Sequence, residues 1–129
     1  MTRIILLISL ILTVSFPISG QKKKAEDKSK PVVTFVELGS VNCIPCKQMQ
    51  PVMKAIEEKY GTQIKVIFYD VWKADQKHYA QKYGVRLIPT QVFLDADGKE
   101  FHRHEGFYPE EEINKILKGK GLIPKSTKS

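Results

Sequence analysis

The chain carries two cysteines, and they stand together as Cys43-Ile44-Pro45-Cys46. An apolar run, Val32 to Leu38, comes just before them, and a helix-like segment, Lys47 to Tyr60, just after. A cysteine pair at a strand-to-helix junction suits reversible dithiol–disulfide exchange. The thiolate is the reactive form, and the free N–H groups and partial positive charge of a helix N-terminus lower a thiol pKa. The i, i+3 spacing puts the second sulfur within one turn of the first. The second thiol can therefore attack a mixed disulfide made by the first. Two blander readings compete: a structural disulfide and half of a zinc site. A bridge across so small a loop adds little stability. Zinc needs four ligands, and His102 and His104, alternating on one strand, make no zinc-finger spacing. No metal is expected.

The elements that must position the pair follow from hydrophobic periodicity. Val32 to Leu38 is mostly apolar, as for a strand buried on both faces. Met49, Val52, Met53, Ile56 and Tyr60 make one apolar helix face, and the methionines are core packing. Pro51 is expected to kink this helix and Gly61 to end it. Ile64 to Asp70 is a second strand, so strand, helix and strand form a right-handed crossover with a parallel pair. Ala74 to Tyr83 is a polar second helix closed by Gly84. Gln91 to Asp95 and Lys99 to Glu105 are two further strands around an Asp97-Gly98 turn, and Gly106 breaks the last of them. Pro109 and the acids Glu110, Glu111 and Glu112 open a final helix, which buries Ile113, Ile116 and Leu117. The predicted order is β-α-β-α-β-β-α, an α/β class, in one domain over 31–118.

The chain has 129 residues and a net charge of +7, but the charge lies at the ends. Arg3 contributes one positive charge, 21–30 three and 118–129 four, which leaves 31–117 at minus one. Residues 21–30 read as a basic linker and 119–129 as a basic, flexible tail. No basic stripe interleaved with aromatics runs through the body, so nucleic acid is not an expected partner. Arg3, the apolar run from Ile4 to Phe16 and the small residues Ser19-Gly20 form a secretory signal pattern over 1–20. The run is short of the roughly 20 apolar residues of a membrane span. Cleavage after Gly20 is expected, the alternative being an uncleaved anchor through residues 4–19. An anchor would place Lys22 to Lys24 outside, against the positive-inside bias, which favours cleavage.

Several fragments recur in the order and rough spacing of a known family. They are Phe35-Val36-Glu37, Cys43-Ile44-Pro45-Cys46-Lys47, Pro51, Tyr83-Gly84-Val85-Arg86, Ile88-Pro89-Thr90 and Gly106. Over roughly residues 32–118 the chain resembles thioredoxins. With its signal-like start it most resembles the extracytoplasmic thioredoxin-like proteins of bacteria, some of which take electrons from a membrane transporter of the DsbD/CcdA type. The resemblance implies a four-stranded mixed sheet flanked by helices, in the order second, first, third, fourth strand. The first strand and helix of a full thioredoxin are missing from the pattern. There are departures. Asn42 and Gly39 replace two family tryptophans, Ile44 a glycine, and Glu37 a buried aspartate. The lysine usually beside that acid becomes apolar, at Phe68. The loop after Asp70 is longer and holds Trp72.

By this resemblance Cys43 is the more exposed, attacking thiolate and Cys46 the more buried, resolving thiol. Pro45 stiffens the helix start, and a proline there rather than a histidine removes a stabiliser of the thiolate, which points to a reductant. Pro89 is expected to be cis, beside the cysteines, exposing the Ile88 backbone for strand-like pairing with a substrate. Gly106 leaves room for the same chain, and Asn42 and Ile44 border it. Glu37 is expected as a buried carboxyl with a raised pKa that takes the proton of Cys46. Lys47, His78, His102 and His104 are expected at the surface. The implied activity is thiol–disulfide exchange, reducing disulfides of exported proteins such as apocytochrome c in the periplasm or another extracytoplasmic space. The alternatives are a disulfide donor and a non-catalytic binding module. No nucleotide or flavin motif is present, so the dithiol needs no further cofactor and electrons must come from another protein.

Overall fold

The structure, a computed structural model, describes residues 29–126. The expectations for 1–20 and most of 21–30 lie outside the described residues. Four strands, β1 (Val33–Gly39), β2 (Ile64–Asp70), β3 (Thr90–Asp95) and β4 (Glu100–Glu105), alternate with helices α1 (Ile44–Tyr60), α2 (His78–Lys82) and α3 (Glu110–Gly119). The sheet order is β2-β1-β3-β4, with β1 parallel to β2 and antiparallel to β3, and β3 antiparallel to β4. Both the order and the mixed sheet are those expected from the sequence.

β1 is the central, doubly buried strand, and its alternation feeds two cores. Val33 and Phe35 pack with Met49, Met53, Ile56 and Tyr60 of α1, Phe93 of β3, and Ile113 and Leu117 of α3. Val36 and Leu38 point the other way, with Val92, onto Tyr79, Tyr83 and Val85. α1 begins at Ile44, earlier than the expected Lys47, and so takes in the motif from Ile44 to Cys46. Pro45 sits in the first turn, where a missing N–H breaks no helical bond. Pro51 lies within the helix on its exposed side.

Two expectations are revised. The second helix spans only His78–Lys82 rather than Ala74 to Tyr83. Residues 72–75 are exposed and have no core to pack against. Their hydrogen bonds go into turns, Lys73 to Asp70 and Gln76 and Lys77 to Lys73, while the Gln76 side chain accepts from the Asp70 N–H at 2.9 Å. The second revision concerns 119–126, expected as part of a flexible tail. Leu122 enters the main core, the Gln63 amide both donates to and accepts from the Ile123 backbone, and the Lys125 N–H donates to Lys59. Apolar burial and this clamp extend the packed body beyond 118. Among the described residues no helix is long and apolar enough to cross a membrane.

Candidate active site

Cys43 is the N-cap of α1, and Cys46 lies one turn on. They are joined in a disulfide with Cα atoms 5.2 Å apart. Cys46 is fully buried, while Cys43 keeps 8% of its surface. The more exposed cysteine is thus the one at the helix end, where a thiolate gains most from the free N–H groups. The approach from β1 is fixed by short-range bonds. The Cys43 N–H donates to the Ser40 carbonyl at 3.2 Å, and the Asn42 N–H to the Ser40 hydroxyl at 3.2 Å. Asp70, at the end of β2, accepts from the Val41 N–H at 3.3 Å and the Trp72 N–H at 3.1 Å. Burial alone would raise the Asp70 pKa; these N–H donors, the Ser40 hydroxyl and Lys73 outweigh it and hold the group below its ordinary value.

Below the pair, β1 presents Gly39 and Glu37 on one face, because residues two apart share a face. A Cβ on Gly39 would stand 3.2 Å from both Cβ and Sγ of Cys46 and 3.4 Å from Phe68. Glu37 is therefore the next side chain along the surface that carries Cys46. It is completely buried and faces Phe68 on β2 and Gln91 on β3. Desolvation pushes its pKa up to about 8, with a smaller opposing effect from the Gln91 hydrogen bond. Gln91 Nε2 donates to Glu37 Oε1 at 3.4 Å and to the Gly106 carbonyl at 3.1 Å. Glu37 Oε2 and Gln91 Oε1 have no hydrogen-bond partner among the described residues. The residue opposite Glu37 on β2 is Phe68, so no cation compensates the acid from that side.

The Ile88–Pro89 peptide is cis, as the resemblance implied. Pro89 is buried, and its carbonyl accepts from the Gly106 N–H at 2.7 Å. Ile88 makes no backbone hydrogen bond to the described residues, which leaves its N–H and C=O open for pairing. Gly106 has φ of 93°, a left-handed conformation that favours glycine, and a Cβ there would meet nothing within 4 Å. A two-pronged Arg86–Glu105 ion pair, at 3.1 and 3.0 Å, ties the two segments together. Apolar side chains stand exposed beside these residues in the chain: Val41, Ile44, Trp72, Leu87 and Phe107. Asn42, Pro45 and Lys47 are exposed as well. Among the described residues no group of three or more His, Cys, Asp or Glu could hold a metal ion.

A family model described as the thioredoxin-like domain matches residues 18–120. The chain belongs to the thioredoxin-like family. A thioredoxin of Bacillus subtilis (strain 168) is 33% identical over 75 residues, covering 58% of this chain and 69% of its own. The chloroplastic thioredoxin Y of Oryza sativa subsp. japonica is 32% identical over 88 residues, which are 68% of this chain but 49% of the rice protein. Among solved structures, the N21Q mutant thioredoxin from Halobacterium salinarum NRC-1 matches with a TM-score of 0.62 at 27% identity, covering 74% of this chain and 80% of that one. A Cys-x-x-Cys disulfide at a helix start within a thioredoxin fold carries catalytic thiol–disulfide activity.

Within this thioredoxin-like site Glu37 shares a strand face with Gly39, which borders Cys46, Pro89 and Gly106 are joined by a backbone hydrogen bond, and residues not singled out in the sequence take part. Gln91 and Asp70 are the main additions. Each reads in sequence as a polar residue at a strand end; only strand register brings Gln91 opposite Glu37, and only the crossover brings Asp70 to the Ser40–Asn42 turn. His102 departs from its expected surface position. It is half-buried, 2.9 Å from the Tyr108 hydroxyl, with its ring against Phe93 and Tyr108. The strand register sets His102 opposite Phe93, and this is what draws it in. His104 stacks on Tyr108 with ring centroids 4.0 Å apart. His78 is exposed.

Proposed function

We propose that the protein is a reductant, using Cys43 and Cys46 to reduce disulfides of exported proteins outside the cytoplasm. Cys43 thiolate attacks a substrate disulfide, a mixed disulfide forms, and the first substrate sulfur leaves as a thiolate that takes up a proton. Cys46 then gives its proton to the ionised form of Glu37 and attacks the Cys43 sulfur. The second substrate thiolate departs, and the enzyme is left oxidised by two electrons. A carboxyl with a pKa near 8 suits this transfer, since a base works best when its pKa lies close to the working pH. The substrate chain pairs with the open backbone of Ile88 beside Pro89, runs past Gly106, and rests on Asn42, Ile44 and the exposed apolar rim.

The observation that carries the reading is the placement of one buried carboxyl on the β1 face that touches Cys46. The reductive direction is supported by Pro45 in place of a histidine. The signal-like start over 1–20 supports a periplasmic or other extracytoplasmic site, secreted or anchored. A membrane thiol transporter of the DsbD/CcdA type would then return the electrons, and apocytochrome c is one candidate recipient.

The reduction potential tests the direction. Equilibrated against glutathione, a reductant falls near thioredoxin at about −270 mV, whereas a disulfide donor falls near about −120 mV. Trapping tests the roles. Cys46→Ser should accumulate mixed disulfides with substrate proteins, and Cys43→Ser should form none. Partners retained non-covalently by Cys43→Ser at wild-type levels, with no exchange in the wild type, would make this a binding module instead.

A further inference from the structure

If Glu37 is the proton acceptor proposed above, then whatever holds its carboxyl acts on the chemistry. Glu37 and Gln91 are paired across β1 and β3, and both are fully buried. The two amide protons of Gln91 are directed at two acceptors, Glu37 Oε1 at 3.4 Å and the Gly106 carbonyl at 3.1 Å. Gly106 in turn donates to the Pro89 carbonyl at 2.7 Å. One side chain thus reaches from the acid on the Cys46 face to the edge carrying the cis-proline.

Packing alone gives no reason for an amide at this position. The flanking residues on the same face, Phe35, Phe68 and Phe93, are aromatic. A buried amide is costly unless its hydrogen bonds are met, and Gln91 Oε1 has no partner among the described residues. What an apolar residue could not supply is the pair of donated hydrogen bonds.

We propose that Gln91 is a positioning residue for the thiol exchange, its side-chain amide orienting the Glu37 carboxyl on the Cys46 face and linking it to the Pro89–Gly106 edge where a substrate chain docks. A donated N–H favours the ionised carboxylate. Being neutral, the amide leaves most of the desolvation in place, so the acid can still hold a proton near neutral pH. The other groups around Glu37 are few. β2 sets Phe68, which does not titrate, opposite Glu37, and α1 sets Cys46 against the neighbouring Gly39. From β4, His104 lies opposite Gln91 rather than Glu37, with its ring nitrogen at the Phe107 carbonyl, and Tyr108 follows beyond it.

The test is a direct titration of the Glu37 carboxyl by 13C NMR in the oxidised full-length protein, in wild type and Gln91→Met. This swap roughly keeps side-chain volume. The midpoint should rise by about one pH unit, a tenfold gain in proton affinity. The pH profile of disulfide exchange should move with it, and Gln91→Met should leave the profile unchanged in a Glu37→Gln background. A Glu37 midpoint that ignores Gln91→Met overturns the proposal. Should the variant not fold, the Gln91 side-chain 15N resonance of the wild type serves instead: it must shift with the Glu37 midpoint, and independence from it overturns the proposal equally. The two layers separate cleanly. Wild-type turnover in Glu37→Gln sinks the base role itself, whereas slow turnover there with a midpoint indifferent to Gln91 sinks only the part assigned to Gln91.

Discussion

Replacing Glu37 by glutamine should stabilise the protein, and only above acid pH. The folded carboxyl has a pKa of about 8 against an ordinary 4.5. Below pH 4.5 it is protonated in both the folded and the unfolded chain and has no effect on the balance. Between 4.5 and 8 the unfolded chain has released the proton while the folded chain keeps it. Folding must then take a proton up, and stability falls by about 1.4 kcal/mol for each pH unit. The loss is about 3 kcal/mol at pH 7 and levels off near 5 kcal/mol above pH 8, a large share of the 5–15 kcal/mol typical of a domain. Glu37→Gln keeps the shape and removes the titration. Urea unfolding of the oxidised proteins at pH 4, 5.5, 7 and 8.5 would measure this, because oxidation keeps the cysteines out of the titration and all other groups are common to both chains. Equal stabilities at pH 4 should diverge to about 3 kcal/mol in favour of the variant at pH 7. A difference that stays constant with pH would refute the buried-acid reasoning.

Gly39→Ala would bring a Cβ to 3.2 Å from Cys46 Cβ and Sγ, tighter than ordinary contact. Cys46 is held by helix and disulfide, so the oxidised variant should lose about 1–2 kcal/mol in urea unfolding, as for an overpacked core; an unchanged midpoint would mean that this wall yields freely. His102 behaves oppositely to Glu37. Burial, helped by His104, lowers its pKa, so below its unfolded value of about 6.5 the unfolded chain takes the proton first and stability falls as the pH drops toward the folded value. In the Glu37→Gln background, which removes the opposing trend, this acid limb should be visible and should flatten on further substitution of His102 by glutamine.

What the sequence made legible was set by pattern and by spacing. Apolar alternation in Val32–Leu38, the helical stripe from Met49 to Tyr60 and the Asp97-Gly98 turn each determine an element locally, and the element order then admits few topologies. The cysteine pair and Ile88-Pro89 were readable because their chemistry resides in a short motif. The start of the second helix was not, because residues 72–75 have helix-compatible composition but no surface to bury. Leu122 was lost in a run of lysines, where charge masked a single apolar anchor. Gln91 and Asp70 act through partners 54 and 29 residues away. No window of sequence carries such information; it appears only when the register of β1 against β3 and the turn after β2 are known.

The departures from the thioredoxin pattern make one connected physical change at this site. Gly39 removes the side chain that would separate the strand from Cys46, and the Phe68 ring lies within 3.4 Å of where a Cβ would begin. With Phe68 opposite Glu37, a cation that could form a buried ion pair is replaced by an apolar ring, and the acid loses a charged partner on that side. A buried pair would have stabilised the carboxylate and lowered its pKa; a lone neutral amide from Gln91 does so far less. The acid therefore stays protonated into the neutral range and weakens the fold as it does so, since every proton it keeps must be bound on folding. A residue that only filled space would escape that cost as glutamine or leucine. The retained carboxyl is explained if the proton of Cys46 needs somewhere to go, which is why the stability gain in Glu37→Gln and its slower exchange should appear together.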